Sequence, residues 1–257
     1  MTFILAATPA YDGVVVTEYQ RSFIDMVEEC RKERYRLARL FQISTFPSRA
    51  RNAAAAMVIA NPDFTHLLTI DADMGWPAGL LTRLVNADRP VVGATYPRRA
   101  ITKAPSFIGG IIGGANPETP IPKDGFMRAK YVGNGFTLIK REILLRMAEF
   151  HNDRKHVDES MDIPVWDLFP SGLMPSFKED GGFDKKISTT DDVGFGILAE
   201  QAGIDIWADV RTSLSHTGRI TVEIGAVESY MLARRENAKL NIPADKNFKG
   251  LLNERGA

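Results

Sequence analysis

The chain has 257 residues, room for one large α/β domain or two small ones. Lys+Arg and Asp+Glu both number 32, so the formal net charge is zero and nothing pulls the whole molecule toward nucleic acid or an acidic membrane surface. The single cysteine, Cys30, excludes an intramolecular disulfide and a cysteine-rich zinc site, and in a helical stretch it reads as a small buried hydrophobe.

Phe3 to Ala7 is a short apolar run that empties into Thr8-Pro9-Ala10-Tyr11-Asp12-Gly13, the pattern of a buried parallel strand and its turn. Phe23, Val27, Cys30, Leu37 and Leu40 recur at helical steps, which predicts a helix over residues 17 to about 40. Phe41 to Phe46 follows as a strand. Ser48 then reads as the N-cap of an alanine-rich helix that Asn61-Pro62 stops. His66 to Ile70 is the next strand and leads into Asp71-Ala72-Asp73. Pro77 opens a short helix to about Ala87, and Pro90 to Thr95 is a β-branched strand.

This alternation predicts a doubly wound, mostly parallel sheet, whose ligands bind beyond the carboxyl ends of the strands. Thr8 to Asp12, Asp71 to Asp73 and Tyr96 to Arg99 all leave that edge. The second half is less regular. Ala104 to Ile112 and Arg128 to Ile139 read as strands around a Gly/Pro-rich loop, and Arg141 to Glu149 as a helix. Residues 151 to 188 show no period, the mark of a functional lid or of disorder. Asp191 to Ala202 is a helix, Asp205 to Val210 a strand, and a terminal helix runs from about Gly225 to Leu240. No apolar stretch reaches the ~20 residues of a membrane span and no signal peptide is visible, so the expectation is a soluble, cytoplasmic protein.

Four places carry chemistry. Asp71 and Asp73, two apart at a strand's end, clamp a cation between them or cap the next helix. Asp191 and Asp192 open a helix, as caps or as a general base for an acceptor hydroxyl. His216 follows an apolar strand, as a structural hydrogen-bond partner or as a ligand. Carboxylates with one imidazole suit Mn²⁺, and Mg²⁺ less naturally. Arg49 and Arg51, at a helix start, form a solvated pair or hold a diphosphate.

In order, Thr8-Pro9-Ala10-Tyr11, Ser48 to Asn52, Leu68 to Asp73, Gly133-Asn134-Gly135-Phe136, Asp191 to Phe195 and His216-Thr217-Gly218 resemble the GT-A fold of nucleotide-sugar-dependent glycosyltransferases. The nearest group is the large inverting family with an Asp-x-Asp motif. The resemblance implies a single Rossmann-like α/β domain, a three-layer sandwich over a mostly parallel sheet. Residues 1–100 would form its nucleotide-binding half, 101–218 a less regular acceptor side and 219–257 a helical extension. It implies that Thr8, Pro9, Ala10 and Tyr11 contact the nucleoside, and that Arg49, Asp71 and Ala72 meet the donor. Asp71, Asp73 and His216 would hold the metal, and Asn134, Gly135 and Trp166 would line the acceptor side. Asp192 matches the catalytic base, with Asp191 where many relatives have Glu, so the base falls to one or the other.

The activity so implied is transfer of a hexose from a nucleotide sugar, by default UDP-linked, to a hydroxyl of a saccharide, protein, metabolite or modified nucleobase, with inversion. Two alternatives share the architecture. A sugar-nucleotide nucleotidyltransferase would carry a glycine-rich basic loop after the first strand, where this chain has Thr8 to Gly13. A non-catalytic carbohydrate- or nucleotide-binding module would have no use for both acidic sites and His216.

Overall fold

A computed structural model describes residues 1–97, 107–112, 119–177, 183–212, 214–218 and 222–224. The elements in chain order begin β1 (Phe3–Pro9), α1 (Thr17–Glu33), β2 (Arg36–Gln42), α2 (Pro47–Ala60), β3 (His66–Ile70), β4 (Met74–Gly75) and α3 (Leu80–Ala87). Next come β5 (Val91–Ala94), β6 (Tyr96–Pro97), β7 (Phe107–Ile111), β8 (Phe126–Val132), β9 (Phe136–Lys140) and α4 (Arg141–Phe150). A 3-10 turn at Asn152–Arg154 leads to β10 (Lys155–His156), β11 (Val165–Trp166), β12 (Gly172–Phe177) and β13 (Phe183–Thr189). The last are α5 (Asp191–Gln201), β14 (Ile206–Asp209), β15 (Leu214–His216) and β16 (Val222–Ile224).

One sheet has the strand order β2-β1-β3-β9-β5-β14-β8-β7-β6. Strands β2, β1, β3, β5, β14 and β7 run one way and β9, β8 and β6 the other, so the sheet is mixed but mostly parallel. Strands from before and after residue 100 alternate within it. Period-two alternation divides the core. Leu5, Ala7, Leu67, Val91 and Ile139 pack with α2, α4 and α5 on one face. Ile4, Ala6, Leu68, Ile70, Val92 and Leu138 pack with α1 and α3 on the other. The three-layer α/β sandwich expected from the sequence is the observed fold. Among the described residues no helix is long and apolar enough to cross a membrane.

Several boundaries differ from the sequence reading. The first helix ends at Glu33, because Arg34 turns left-handed (φ 58°) and Tyr35 N–H caps Cys30 C=O at 2.9 Å. Leu37 and Leu40 therefore lie in β2. This edge strand needs only one paired side, so its arginines stay exposed. Pro47, not Ser48, starts α2: its fixed φ suits the first helical position, and Phe46 is the N-cap. α3 begins at Leu80, since Pro77 forms a turn first. The apolar run 128–139 is two strands broken at Gly133-Asn134-Gly135. Residues 151–188 contain the antiparallel hairpin β12–β13, not an unstructured lid. Residues 98–106 with Arg98, Arg99 and Lys103, the loop at 113–118 and the expected terminal helix lie outside the described residues.

Candidate active site

A cleft of about 490 Å³ opens at the carboxyl ends of β1 and β3. The reversed strand β9 places its beginning there too, because Phe136 pairs with Ile70. Asp71 N–H donates to Gly135 C=O at 3.2 Å, and Met74 N–H closes the turn onto Asp71 C=O at 3.2 Å. Val16 N–H holds Ala72 C=O at 3.0 Å, and Thr217 N–H holds Asp73 C=O at 2.8 Å. Asp71, Ala72 and Asp73 all line the cleft.

His216 reaches the same place because β15 pairs with β4, setting His216 opposite Met74. Its Nδ1 lies 2.8 Å from the Pro97 carbonyl and its Nε2 3.5 Å from Asp73 Oδ1. The Tyr96 ring stands edge-on to the imidazole, with centroids 5.2 Å apart.

Asp191 and Asp192 open α5, where the helix N-terminus favours negative charge. Asp192 is buried. Its Oδ1 accepts the Thr190 hydroxyl and the Val193 N–H, the latter at 2.9 Å. The helix start is pressed into place by two glycines. A Cβ at Gly194 would lie 2.0 Å from the Pro170 carbonyl oxygen, and one at Gly196 2.4 Å from that of Lys130.

Arg51, only 3% exposed, lies between the two acidic places. One terminal nitrogen donates to Asp71 Oδ1 and the other to Asp191 Oδ2. Burial opposes its charge, but Asp71 and Asp191 more than offset that and hold it above the ordinary arginine range. Tyr96 is neutral: burial first, then Asp71 and Asp192, push its phenol well above its usual value, and its oxygen accepts the Gly135 N–H at 3.0 Å.

Among the expected residues, the cleft gathers Pro9, Tyr11, Asp71, Ala72, Asp73, Asn134, Asp191, Asp192 and His216. Others lie elsewhere. Thr8 is buried with its hydroxyl 2.7 Å from that of Tyr19, and Ala10 is fully buried behind the cleft wall. Arg49 turns to a second cavity, where it grips Asp158 with two 2.8 Å bonds. Two residues along a helix point nearly opposite ways, so Arg49 and Arg51 could not share one site. Trp166 packs against the core under Lys155 and does not line the cleft. Gly135 acts through its backbone bonds to Tyr96 and Asp71. Sequence reasoning placed Tyr96 at the sheet edge without a role, and read Arg51 only together with Arg49, as a solvated pair or a diphosphate holder. The sequence signal for Arg51 was its phase among the buried alanines of α2.

Among the described residues no three His, Cys, Asp or Glu groups converge as a metal cluster. Asp71 is turned to Arg51, so the expected set of Asp71, Asp73 and His216 is brought together only as the pair Asp73 and His216. That pair fits a hard divalent cation in kind. A carbonyl can only accept, so His216 Nδ1 carries a hydrogen, which leaves Nε2, beside Asp73, as the nitrogen that could ligate. Among the described residues, the acids Asp12, Asp71, Asp73, Asp191 and Asp192 line the cleft with Arg51 as the one arginine, so a cation would be welcome.

No protein-family model matches the chain, and no curated protein matches it. Solved structures resemble it in fold. A197 from STIV is 15% identical over 85% of this chain and 86% of that one, with a TM-score of 0.47. The catalytic domain of Drosophila β1,4-galactosyltransferase 7 is 12% identical over 81% of this chain and 65% of that one, with a TM-score of 0.40. GalNAc-T7, solved with UDP, GalNAc and Mn²⁺, is 9% identical over 84% of this chain and 44% of that one, with a TM-score of 0.39. This chain thus spans less than two thirds of either glycosyltransferase. Nucleotidyltransferases also occur among the similar structures.

Proposed function

We propose that this chain is a metal-assisted glycosyltransferase that moves a hexose from a nucleotide-sugar donor, by default a UDP sugar, to an acceptor hydroxyl with inversion. The observation that carries the reading is the composition of one cleft: the pair Asp73 and His216 beside a buried carboxylate, Asp192, at a helix start. Asp73 and His216 would hold the cation. Once bound, Mn²⁺, or Mg²⁺ less naturally, would supply neutralisation of charge growing on the leaving diphosphate.

The protein's own groups do the rest. Asp192 takes the proton from the acceptor hydroxyl as that oxygen attacks the anomeric carbon. Asn134 is buried, and its amide nitrogen has no partner among the described residues, so it supplies a donor for a hydroxyl of the bound sugar. Neutral Tyr96 adds no further negative charge to an already acidic wall.

The test is a screen of nucleotide sugars for Mn²⁺-dependent hydrolysis, which needs no known acceptor. Release of free sugar and nucleoside diphosphate is expected, and Asp73→Asn should abolish it. Formation of sugar nucleotide and pyrophosphate from a nucleoside triphosphate and a sugar phosphate would assign the chain to the nucleotidyltransferases instead. Retained anomeric configuration in a transfer product would overturn the inverting mechanism.

A further inference from the structure

We propose that Arg51 is a positioning residue: by bridging Asp71 and Asp191 it ties the start of α5 to the acidic turn after β3, takes Asp191 out of proton transfer and leaves that task to Asp192. The part in proton transfer rests on the transferase reading; the tie between the two segments does not.

The bridge joins parts far apart in the chain. Arg51 meets Asp71 20 residues away and Asp191 140 residues away, through different terminal nitrogens. A planar fork can serve two carboxylates in two directions at once, whereas a lysine ammonium at the end of the same stem cannot reach both. Two of its five N–H donors, one on each terminal nitrogen, are therefore engaged by protein, and Nε–H has no partner among the described residues.

The same contact separates two neighbouring acids. Asp191 gives an oxygen to a buried guanidinium, so that oxygen is already engaged by a charged donor. Asp192 makes no ion pair among the described residues. Its Oδ1 is oriented by the Thr190 hydroxyl and Val193 N–H. The backbone contacts at Gly194 and Gly196 fix α5 against Pro170 and Lys130. Arg51 supplies what those cannot, a link between this helix start and the turn bearing Asp71 and Asp73.

The experiment combines donor-turnover kinetics with hydrogen exchange of the full chain, read on peptides covering 71–75 and 191–196. Arg51→Lys and Asp191→Asn should each lower kcat about 10- to 100-fold, as a small misplacement of a base does, with donor KM within about threefold. Both should speed exchange at 191–196, and Arg51→Lys should speed it at 71–75 as well. Asp191→Glu should recover most of the kcat lost in Asp191→Asn. Asp192→Asn should lower kcat by about 10³-fold with exchange unchanged. If Asp191→Asn lost as much turnover as Asp192→Asn while exchange stayed tight, Asp191 would be the base and the proposal would fall. Normal kcat and normal exchange in both Arg51→Lys and Asp191→Asn would sink it too. Should the wild type turn over no nucleotide sugar, the transferase reading fails, while joint loosening of the two segments in Arg51→Lys still decides the tie.

Discussion

His216 Nδ1 lies 2.8 Å from the carbonyl oxygen of Pro97, 119 residues earlier in the chain. That bond settles which nitrogen carries hydrogen, and so which one can ligate. His216→Gln and Asp73→Asn should each weaken Mn²⁺ binding about 10- to 100-fold, measured by calorimetry on the full chain. Unchanged Mn²⁺ affinity in both would remove the metal from the proposed mechanism.

Asn52 organises the wall behind Arg51. Its Oδ1 accepts the N–H groups of Leu168 and Phe169, both at 2.9 Å, and its Nδ2 donates to Asp167 at 2.9 Å. Asn52→Ala leaves the buried Phe169 N–H unpaired, while Leu168 N–H keeps its 2.9 Å bond to the Trp166 carbonyl, at a cost of about 1–3 kcal/mol. Urea denaturation should show the loss as a lower midpoint with an unchanged slope.

Gly194 admits no side chain, because the Pro170 carbonyl occupies the space of its Cβ. Gly194→Ala must push the start of α5 away from backbone, which costs about 1–3 kcal/mol or more. Val193→Ala, at a half-buried neighbouring position, should cost less. Melting temperatures of the two variants compare them directly, and equal losses would contradict the packing described.

His66 makes stability depend on pH. Burial first, then Lys140, lower its pKa to about 4, against 6.5 for the free side chain, with Asp88 opposing. Between those values the unfolded chain binds the proton and the folded one does not. Stability therefore falls as pH drops from about 6.5 toward 4, by up to about 3 kcal/mol. His66→Gln should flatten that part of the profile, read as urea midpoints at pH 7 and pH 4.5. An equally steep profile in the variant would assign the dependence to other groups.

What the sequence disclosed depended on how each signal was buried. Strand β3 and helix α5 were legible because an uninterrupted apolar run and an acidic helix start have few other meanings. The end of α1 was not, since Arg-Leu-Ala-Arg-Leu-Phe fits a helical step as well as an edge strand, and a left-handed arginine leaves no glycine as a sign. The acids of the cleft were legible by position, as was His216. Arg51 was not separable from Arg49, because α2 is buried on most sides and its apolar periodicity is correspondingly faint. The resemblance set Trp166 on the acceptor side, and a single aromatic gives no sequence sign of whether it faces a cleft or packs on the core, as this one does.

The 140-residue span between Arg51 and Asp191 has a consequence for how the molecule comes into being. A contact across so much chain forms late, after the intervening strands have closed their loops. Until then the guanidinium stays hydrated and the two acids stay apart. The cleft therefore cannot exist in a half-folded chain, and ligand binding there reports that the last strands of the central sheet have found their places.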